Sequence, residues 1–216
     1  MINATLLNSY LGKPIEEICL NGFISHKENH CAHFVSHVLD LDFGRTCTYL
    51  TRHQKKKGKT AGANVSVKEI FDRCAQVYEV FEFNSCPAVV TGLIFVSAEK
   101  NFLSKPSAFL GTVAPAPANP LTLMGTNQPQ ICKPATFVGT VKGPKKKATM
   151  RSGVKKKHIG IIYNGQIWHY SNALGKVVVQ TMAQFINHYP KQQNALWFGG
   201  IPAEANPHPW LTCVKA

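Results

Sequence analysis

The sequence predicts an α+β fold in which one helix packs on a small antiparallel sheet. Three observations support this prediction. An amphipathic helical pattern spans 29–41, a run rich in β-branched residues spans 88–97, and two strand patterns at 158–163 and 166–172 flank an Asn-Gly pair. The chain has 216 residues, with 44% hydrophobic and 16% charged residues. We therefore expect a single packed domain over 1–216.

The first predicted helix carries a cysteine in its first turn. Asn29 is a suitable N-cap, and Cys31 shares one helical face with Phe34, Val35 and Val38. The free N–H groups and the dipole at a helix N-terminus favour a thiolate. Cys31 is therefore a candidate nucleophile. An ordinary buried thiol is the alternative interpretation of the same pattern.

The middle of the chain predicts a second helix, a strand and an insertion. Residues 67–81 form an amphipathic pattern that Ser66 can cap, and the strand at 88–97 follows. The segment 101–153 is rich in proline, glycine and lysine. We interpret 101–153 as an insertion or an elaborated loop of the same domain, not as a second domain.

A hairpin is the clearest local pattern. Asn164-Gly165 has the composition of a type I′ turn, so the flanking strands pair with a fixed register. In that register Gly160 lies opposite His169, and His158 and His169 are diagonal neighbours on one face, within side-chain reach. Gly160 leaves space between them. A third strand at 176–181 and a short helix at 182–188 are expected to follow.

Two histidines on one sheet face suit a base and the group that orients it. A cysteine nucleophile needs an imidazole to take its proton, and the imidazole needs a third group to fix its tautomer. His158 and His169 are therefore candidates for the base and its orienting group, and Asn172, which points to the other face unless a bulge intervenes, is the alternative orienting residue. The competing interpretation is two histidines exposed on the sheet surface.

Three segments resemble the NlpC-type cell-wall cysteine peptidases. His30-Cys-Ala-His-Phe-Val-Ser-His-Val38 resembles the family's D-C-S-G-F-V-x-x-V nucleophile helix. Gly92-Leu-Ile-Phe-Val96 is similar to its G-D-L-V-F-F strand. The hairpin from His158 to His169 is similar to its H-V-G-I-Y…G-x-x-I-H strand pair. The three segments occur in the family's order.

The resemblance implies a papain-like, NlpC-type fold and cleavage of an amide bond in the stem peptide of peptidoglycan. It also implies Cys31 as nucleophile, His158 as base and His169 as third residue. No cofactor and no metal are expected. The unpermuted order places the nucleophile helix first, with the long Pro/Lys-rich insertion before His158.

Charge and the N-terminal sequence bear on location and partners. The net charge is +13, and no Asp or Glu occurs between Glu99 and Glu204, which favours an anionic target. No secretory signal pattern and no transmembrane segment are recognised. We expect an enzyme made in the cytoplasm and exported by a specialised system to the periplasm or wall of a target cell. An antibacterial effector of type VI secretion would have an immunity protein and a secretion-apparatus component as partners.

Three other functions remain open. His30, His33 and His37 share a helix face and could bind a metal, but no Glu lies between them, so surface histidines are expected. A nucleic-acid-binding module would suit the charge, but Phe137 is the only aromatic ring within 130–157, and nucleic acid is not expected as a partner. The same catalytic groups could instead serve a deamidase, a transglutaminase-like toxin or an acyltransferase.

Overall fold

A computed structural model describes residues 2–51, 61–74, 77–80, 91–103, 148–203 and 205. These residues form helices and strands in mixed order, as expected for an α+β fold. The helices are α1 (Ala4–Asn8), α2 (Cys31–Leu39), α3 (Cys47–Leu50), α4 (Val67–Arg73) and α5 (Met182–Ile186). The strands are β1 (Val77–Val80), β2 (Thr91–Ala98), β3 (Lys157–Tyr163), β4 (Gln166–Ser171), β5 (Lys176–Thr181) and β6 (Asn194–Gly199). Short 3₁₀ helices span Ile15–Glu17 and Glu99–Asn101.

The six strands form one sheet in the order β1-β6-β2-β3-β4-β5, and every neighbouring pair is antiparallel. β3 therefore lies near the middle, and α2 packs mainly on β3 and β4. This arrangement confirms the predicted α+β class and the packing of the cysteine-bearing helix on an antiparallel sheet.

Each face of the sheet buries its own cluster of apolar side chains, because successive residues of a strand point to opposite faces. The face under α2 carries Phe95, Ile159 and Trp168 against the helix. The opposite face carries Val96 and other aliphatic side chains against Phe185 of α5. A side chain of the sheet therefore packs against α2 or against α5, depending on the face to which it points.

The predicted hairpin is confirmed. Tyr163 pairs with Gln166 and Ile161 with Trp168, as a two-residue loop requires. Asn164 and Gly165 both have positive φ, 49° and 77°, which is the backbone of a type I′ turn. The predicted third strand at 176–181 is β5.

The predicted helix at 67–81 is wrong in its second half. α4 is capped by the Ser66 side chain as expected, but it ends at Arg73, where Cys74 turns to an extended backbone with ψ 128°. The following residues Val77–Val80 pair with β6 as an edge strand. Pairing with a strand from the other end of the chain overrides the local helical pattern. β6 itself was not predicted.

The ends of the predicted insertion lie side by side. Phe102 forms an isolated antiparallel bridge with Met150, and the backbone N–H of Arg151 donates to the carbonyl of Asn101 at 2.8 Å. Residues 104–147, which make up most of the predicted insertion, lie outside the described residues. Within the described part of the chain, no helix has the length and apolar character to cross a membrane.

Candidate active site

Cys31 is the first residue of α2. The helix begins two residues later than the sequence predicted, and His30 occupies the N-cap position without a side-chain capping bond. The side chain of Asn29 still satisfies a helix-end donor, because its Oδ1 accepts from the backbone N–H of Cys31 at 3.0 Å. Asn29 Nδ2 donates to the carbonyl of Lys157 at 3.4 Å, which ties the start of α2 to the start of β3.

The sulfur of Cys31 is buried against the backbone of β3. The thiol points at the carbonyl oxygen of Lys157, 4.0 Å away. Burial raises the pKa of the Cys31 thiol to about 12, and a hydrogen bond from the backbone N–H of Ile159 acts in the opposite direction. The resting cysteine is therefore a neutral thiol.

The contact between the sulfur of Cys31 and the backbone of β3 lies beyond the last residue pair that joins β3 to β4. The paired residues of the hairpin run only from Tyr163–Gln166 back to Ile161–Trp168, although β3 begins at Lys157. The sulfur of Cys31 contacts the backbone on both sides of His158. Cys31 belongs to the cluster under α2, whereas the ring of His158 lies against Phe185 of the other face. The thiol of Cys31 and the imidazole of His158 therefore lie on opposite sides of β3, and among the described residues the two side chains make no hydrogen bond with each other.

His158 is joined to His169, as the register predicted. His158 Nε2 lies 2.8 Å from His169 Nδ1, and His169 Nε2 lies 2.9 Å from Gln180 Oε1 on β5. An amide oxygen only accepts, so His169 Nε2 donates to it and His169 Nδ1 accepts from His158 Nε2. His158 Nδ1 is then the nitrogen without a proton. It is buried and has no hydrogen-bond partner among the described residues.

The surroundings keep His158 neutral. Burial lowers its pKa well below 6.5, and the neighbouring His188 and His169 act in the same direction. The ring of His188 stacks on that of His158, with centroids 3.8 Å apart. His169 is also buried, and its pKa is lowered to about 4. Both imidazoles are therefore unprotonated at neutral pH.

Asn172, the alternative third residue, makes different contacts. Its Oδ1 accepts from the backbone N–H of His30 at 2.9 Å, and its Nδ2 donates to Asn29 Oδ1 at 2.8 Å. Asn172 therefore supports the start of α2, and His169 is the side chain that contacts His158. Gln180, which closes the chain of hydrogen bonds, was missed because only the pairing of β4 with β5 brings it to His169.

The segment after α5 covers the site. His188 lies on the ring of His158, and the next residue, Tyr189, is half-buried. Burial and the nearby Cys31 both raise the pKa of the Tyr189 hydroxyl. On the other side, Asn29 and Lys157 line a cavity of about 200 Å³ that also includes Arg45 and Lys155. The cavity therefore lies at two residues that join the start of α2 to β3, and its lining includes more basic than acidic side chains.

The expectation of surface histidines on α2 is wrong for two of the three. His30 and His33 are buried, and His37 is half-buried. α2 is covered on this side by the segment before it and by α3, which the helical pattern alone could not show. Within the part of the chain that the structure describes, two groups of side chains have donor atoms close enough to share a metal ion: Cys19, His33, His37 and Cys47, and separately His158, His169 and His188.

Ring stacking argues against a shared ion in the second group. The rings of His158 and His188 are stacked, with centroids 3.8 Å apart and an interplanar angle of 15°. Stacked rings direct their nitrogens side by side and not toward one point. We therefore treat these residues as a hydrogen-bonded base and its neighbours. No protein-family model, curated protein or solved structure matches this chain.

Proposed function

We propose that this protein is a papain-like cysteine hydrolase of NlpC type that cleaves an amide bond in the stem peptide of peptidoglycan. One observation carries the catalytic part of the proposal. The hydrogen bonds from Gln180 through His169 to His158 leave an unprotonated, unpartnered Nδ1 on His158, and the Cys31 thiol contacts the backbone of Lys157 and Ile159 on either side of that residue. Nucleophilic catalysis needs such a base within reach of the thiol, so the proposal requires the ring of His158 and the sulfur of Cys31, which lie on opposite sides of β3, to meet at the end of this strand.

The reaction follows from the protonation states. Cys31 is a neutral thiol and His158 a neutral imidazole, so no ion pair exists before substrate binds. His158 Nδ1 takes the thiol proton as the sulfur attacks the substrate carbonyl carbon. The resulting imidazolium donates that proton to the leaving amine, and an acyl-enzyme thioester remains. A water molecule, deprotonated by His158 Nδ1, then hydrolyses the thioester to a carboxylic acid and regenerates the thiol.

His169 stabilises the imidazolium that forms in each half-reaction. Its Nδ1 accepts from His158 Nε2 at 2.8 Å in both protonation states of His158. Its own pKa of about 4 keeps it from taking the proton itself. His169 therefore acts as an orienting acceptor and not as a second base.

The basic cavity supports a substrate that carries carboxylates. Arg45, Lys155 and Lys157 line it, with Glu28 as the acidic residue of the lining. Stem peptides of peptidoglycan carry free carboxylates along their length, so they suit this charge. Cys31 itself is buried, so the side chains that cover it must move before a substrate can reach the sulfur.

The resemblance of three segments to the NlpC-type peptidases supports peptidoglycan as the substrate class. The setting we propose is an antibacterial effector, exported to the periplasm or wall of a target cell and paired with an immunity protein in its producer. A deamidase, a transglutaminase-like toxin or an acyltransferase would use the same thioester chemistry, and only product analysis separates these activities.

The test is incubation of wild type, Cys31→Ala and His158→Ala with purified peptidoglycan, followed by mass analysis of the soluble fragments. We expect new fragments with a cleaved stem-peptide amide from wild type only, while circular dichroism shows all three proteins folded. Fragments from Cys31→Ala at the wild-type rate would exclude the nucleophile. Folded wild type that releases nothing from peptidoglycan would exclude this substrate class.

A further inference from the structure

Four metal-binding side chains meet on the side of α2 away from the catalytic residues. Cys19 follows the 3₁₀ helix Ile15–Glu17, His33 and His37 lie one turn apart on α2, and Cys47 is the first residue of α3. Their donor atoms all lie within 4.8 Å of one another. Three of the four residues are buried and His37 is half-buried. The proposed hydrolase mechanism uses none of them.

We propose that Cys19, His33, His37 and Cys47 bind one structural zinc ion in a tetrahedral Cys₂His₂ site. Zn–S bonds of about 2.3 Å and Zn–N bonds of about 2.0–2.1 Å place tetrahedral ligand atoms about 3.3–3.8 Å apart. His33 Nε2 and His37 Nε2 are 3.1 Å apart, so these two donors already lie at nearly this spacing. Two sulfur and two imidazole ligands in tetrahedral geometry are typical of zinc.

The tautomer of His33 is fixed for this role by residues outside the cluster. His30 Nε2 lies 2.9 Å from the carbonyl oxygen of Ser25, which only accepts, so His30 Nε2 donates to it. His30 Nδ1 must then accept from His33 Nδ1, 3.2 Å away. This leaves the lone pair of His33 on Nε2, the atom that faces His37. Metal-binding histidines are held in this way by a hydrogen bond from their other nitrogen.

Donors also surround both sulfur atoms. The side-chain Nδ2 of Asn21 lies 3.4 Å and the backbone N–H of Ala63 lies 3.3 Å from Cys47 Sγ. The backbone N–H groups of Asn21 and Phe23 donate toward the sulfur of Cys19. Both sulfur atoms therefore have hydrogen-bond donors from outside the cluster, like the outer partners that orient metal ligands.

The site would hold the segments around the nucleophile helix together. Four protein ligands leave no open position, so the ion has a structural role. It joins the segment before α2, the helix itself and the start of α3. The hydrogen bond of His33 to His30 also connects the ion to the residue directly before Cys31. This proposal does not depend on the proposed hydrolase activity.

The first test is the metal content of the intact wild-type protein, purified without chelator from zinc-supplemented medium. We expect one zinc per chain by plasma mass spectrometry. Replacement by Co²⁺ should give the intense visible absorption of a tetrahedral site and a near-ultraviolet thiolate-to-cobalt band. A folded wild-type protein without zinc and without the cobalt bands would overturn the proposal, as would a Cys19–Cys47 disulfide found by peptide mass mapping.

Variants assign the ligands. Cys47→Ser should lower zinc content at least tenfold and weaken the charge-transfer band, while Cys74→Ser, which replaces a buried cysteine outside the cluster, keeps one zinc. His37→Cys supplies another good ligand, so it should keep the zinc and strengthen the thiolate-to-cobalt band even if Cys47→Ser does not fold. Unchanged cobalt bands in His37→Cys would contradict the assignment. Cys31→Ser should keep the zinc and lose hydrolysis, which separates a failure of one proposal from a failure of the other.

Discussion

Gln180 Oε1 accepts a hydrogen bond from His169 Nε2, 2.9 Å away on the neighbouring strand. This contact decides the protonation of two imidazoles, because it makes His169 Nδ1 an acceptor and so places the proton of His158 on Nε2. The nitrogen of His158 that remains free is the one we assign as the base. The half-buried Gln180 on β5 therefore determines, through His169, which nitrogen of the proposed base His158 carries the proton.

Gln180→Leu removes the acceptor and lets His169 adopt either tautomer. We expect kcat to fall about 10- to 100-fold with little change in KM, and a larger loss for His169→Ala. Gln180→Glu keeps an acceptor in place and should retain most of the kcat at neutral pH. Equal kcat in Gln180→Leu and wild type, measured on one soluble peptidoglycan fragment, would contradict the tautomer control.

Gly160 is required for the close approach of His169 to His158. A Cβ at this position would lie 2.6 Å from Ile167 Cγ2, 3.0 Å from the carbonyl of Trp168 and 3.2 Å from His169 Cβ. Gly160→Ala should therefore cost about 1–3 kcal/mol of unfolding free energy and lower kcat by displacing His169. Gly200→Ala is the control, because a Cβ there meets nothing within 4 Å. Equal Tm and kcat in the two variants would contradict the packing argument.

The pH dependence of activity should reflect the lowered pKa of His158. The base works only when it is neutral, and burial keeps it neutral to well below pH 6.5. We expect the acid limb of kcat/KM to have its midpoint below pH 6.5. Gln180→Glu should move this midpoint upward, since a carboxylate beside His169 favours protonated imidazoles. A wild-type midpoint at or above 6.5 would show that the base is a more exposed group.

Stability should depend on pH through the same buried pair. The pKa of His169 is about 4 in the folded protein and 6.5 is its usual value, so between these pH values only the unfolded chain takes up a proton. The contribution to unfolding free energy is full above pH 6.5 and is lost as the pH falls toward 4, by on the order of 3 kcal/mol for this residue. In urea unfolding experiments, the unfolding free energy of His169→Gln should decrease less than that of wild type as the pH falls from 6.5 to 4.

The control for that experiment is His26→Gln. The side chain of His26 is 75% exposed, so its replacement should leave the slope of stability against pH as in wild type. If His26→Gln and His169→Gln have the same slope, the burial of His169 does not determine the acid sensitivity.

Asn172 joins the hairpin to the start of the nucleophile helix. Asn172→Ala removes the acceptor for the N–H of His30 and the donor to Asn29, each worth about 1 kcal/mol. We expect a lower Tm and a several-fold loss of kcat, smaller than the loss for His169→Ala. Asn172→Asp keeps the acceptor for the N–H of His30, so its Tm and its kcat should both lie between those of Asn172→Ala and wild type. A larger effect on kcat than that of His169→Ala would make Asn172 the third catalytic residue.

Local patterns predicted the hairpin, its register and the contact of His158 with His169, because a two-residue Asn-Gly turn leaves one pairing. They also placed Cys31 at the start of a helix. The same patterns missed β6 and misassigned Val77–Val80, because the two strands are separated by more than 110 residues and stabilise each other. β1 is an edge strand whose only partner among the described residues is β6, so its own sequence carries little local signal.

The cluster around His33 was missed for a related reason. Cys19 and Cys47 lie 28 residues apart and form no short cysteine motif. Only the packing of α2 between its neighbouring segments brings them to the two histidines. The spacing of His33 and His37 by four residues was the available signal, and a search for cysteines on both sides of it would have found the rest.

The bridge between Phe102 and Met150 has a consequence for how this chain can vary among relatives. Phe102 and Met150 are held together by backbone bonds whatever number of residues lies between them in the chain. The entropy of closing a flexible loop changes by only about 0.6 kcal/mol per doubling of its length. Insertions and deletions between these two residues should therefore be nearly neutral for the fold, so evolution can lengthen, shorten or exchange this part of the sequence while the six-stranded sheet stays the same.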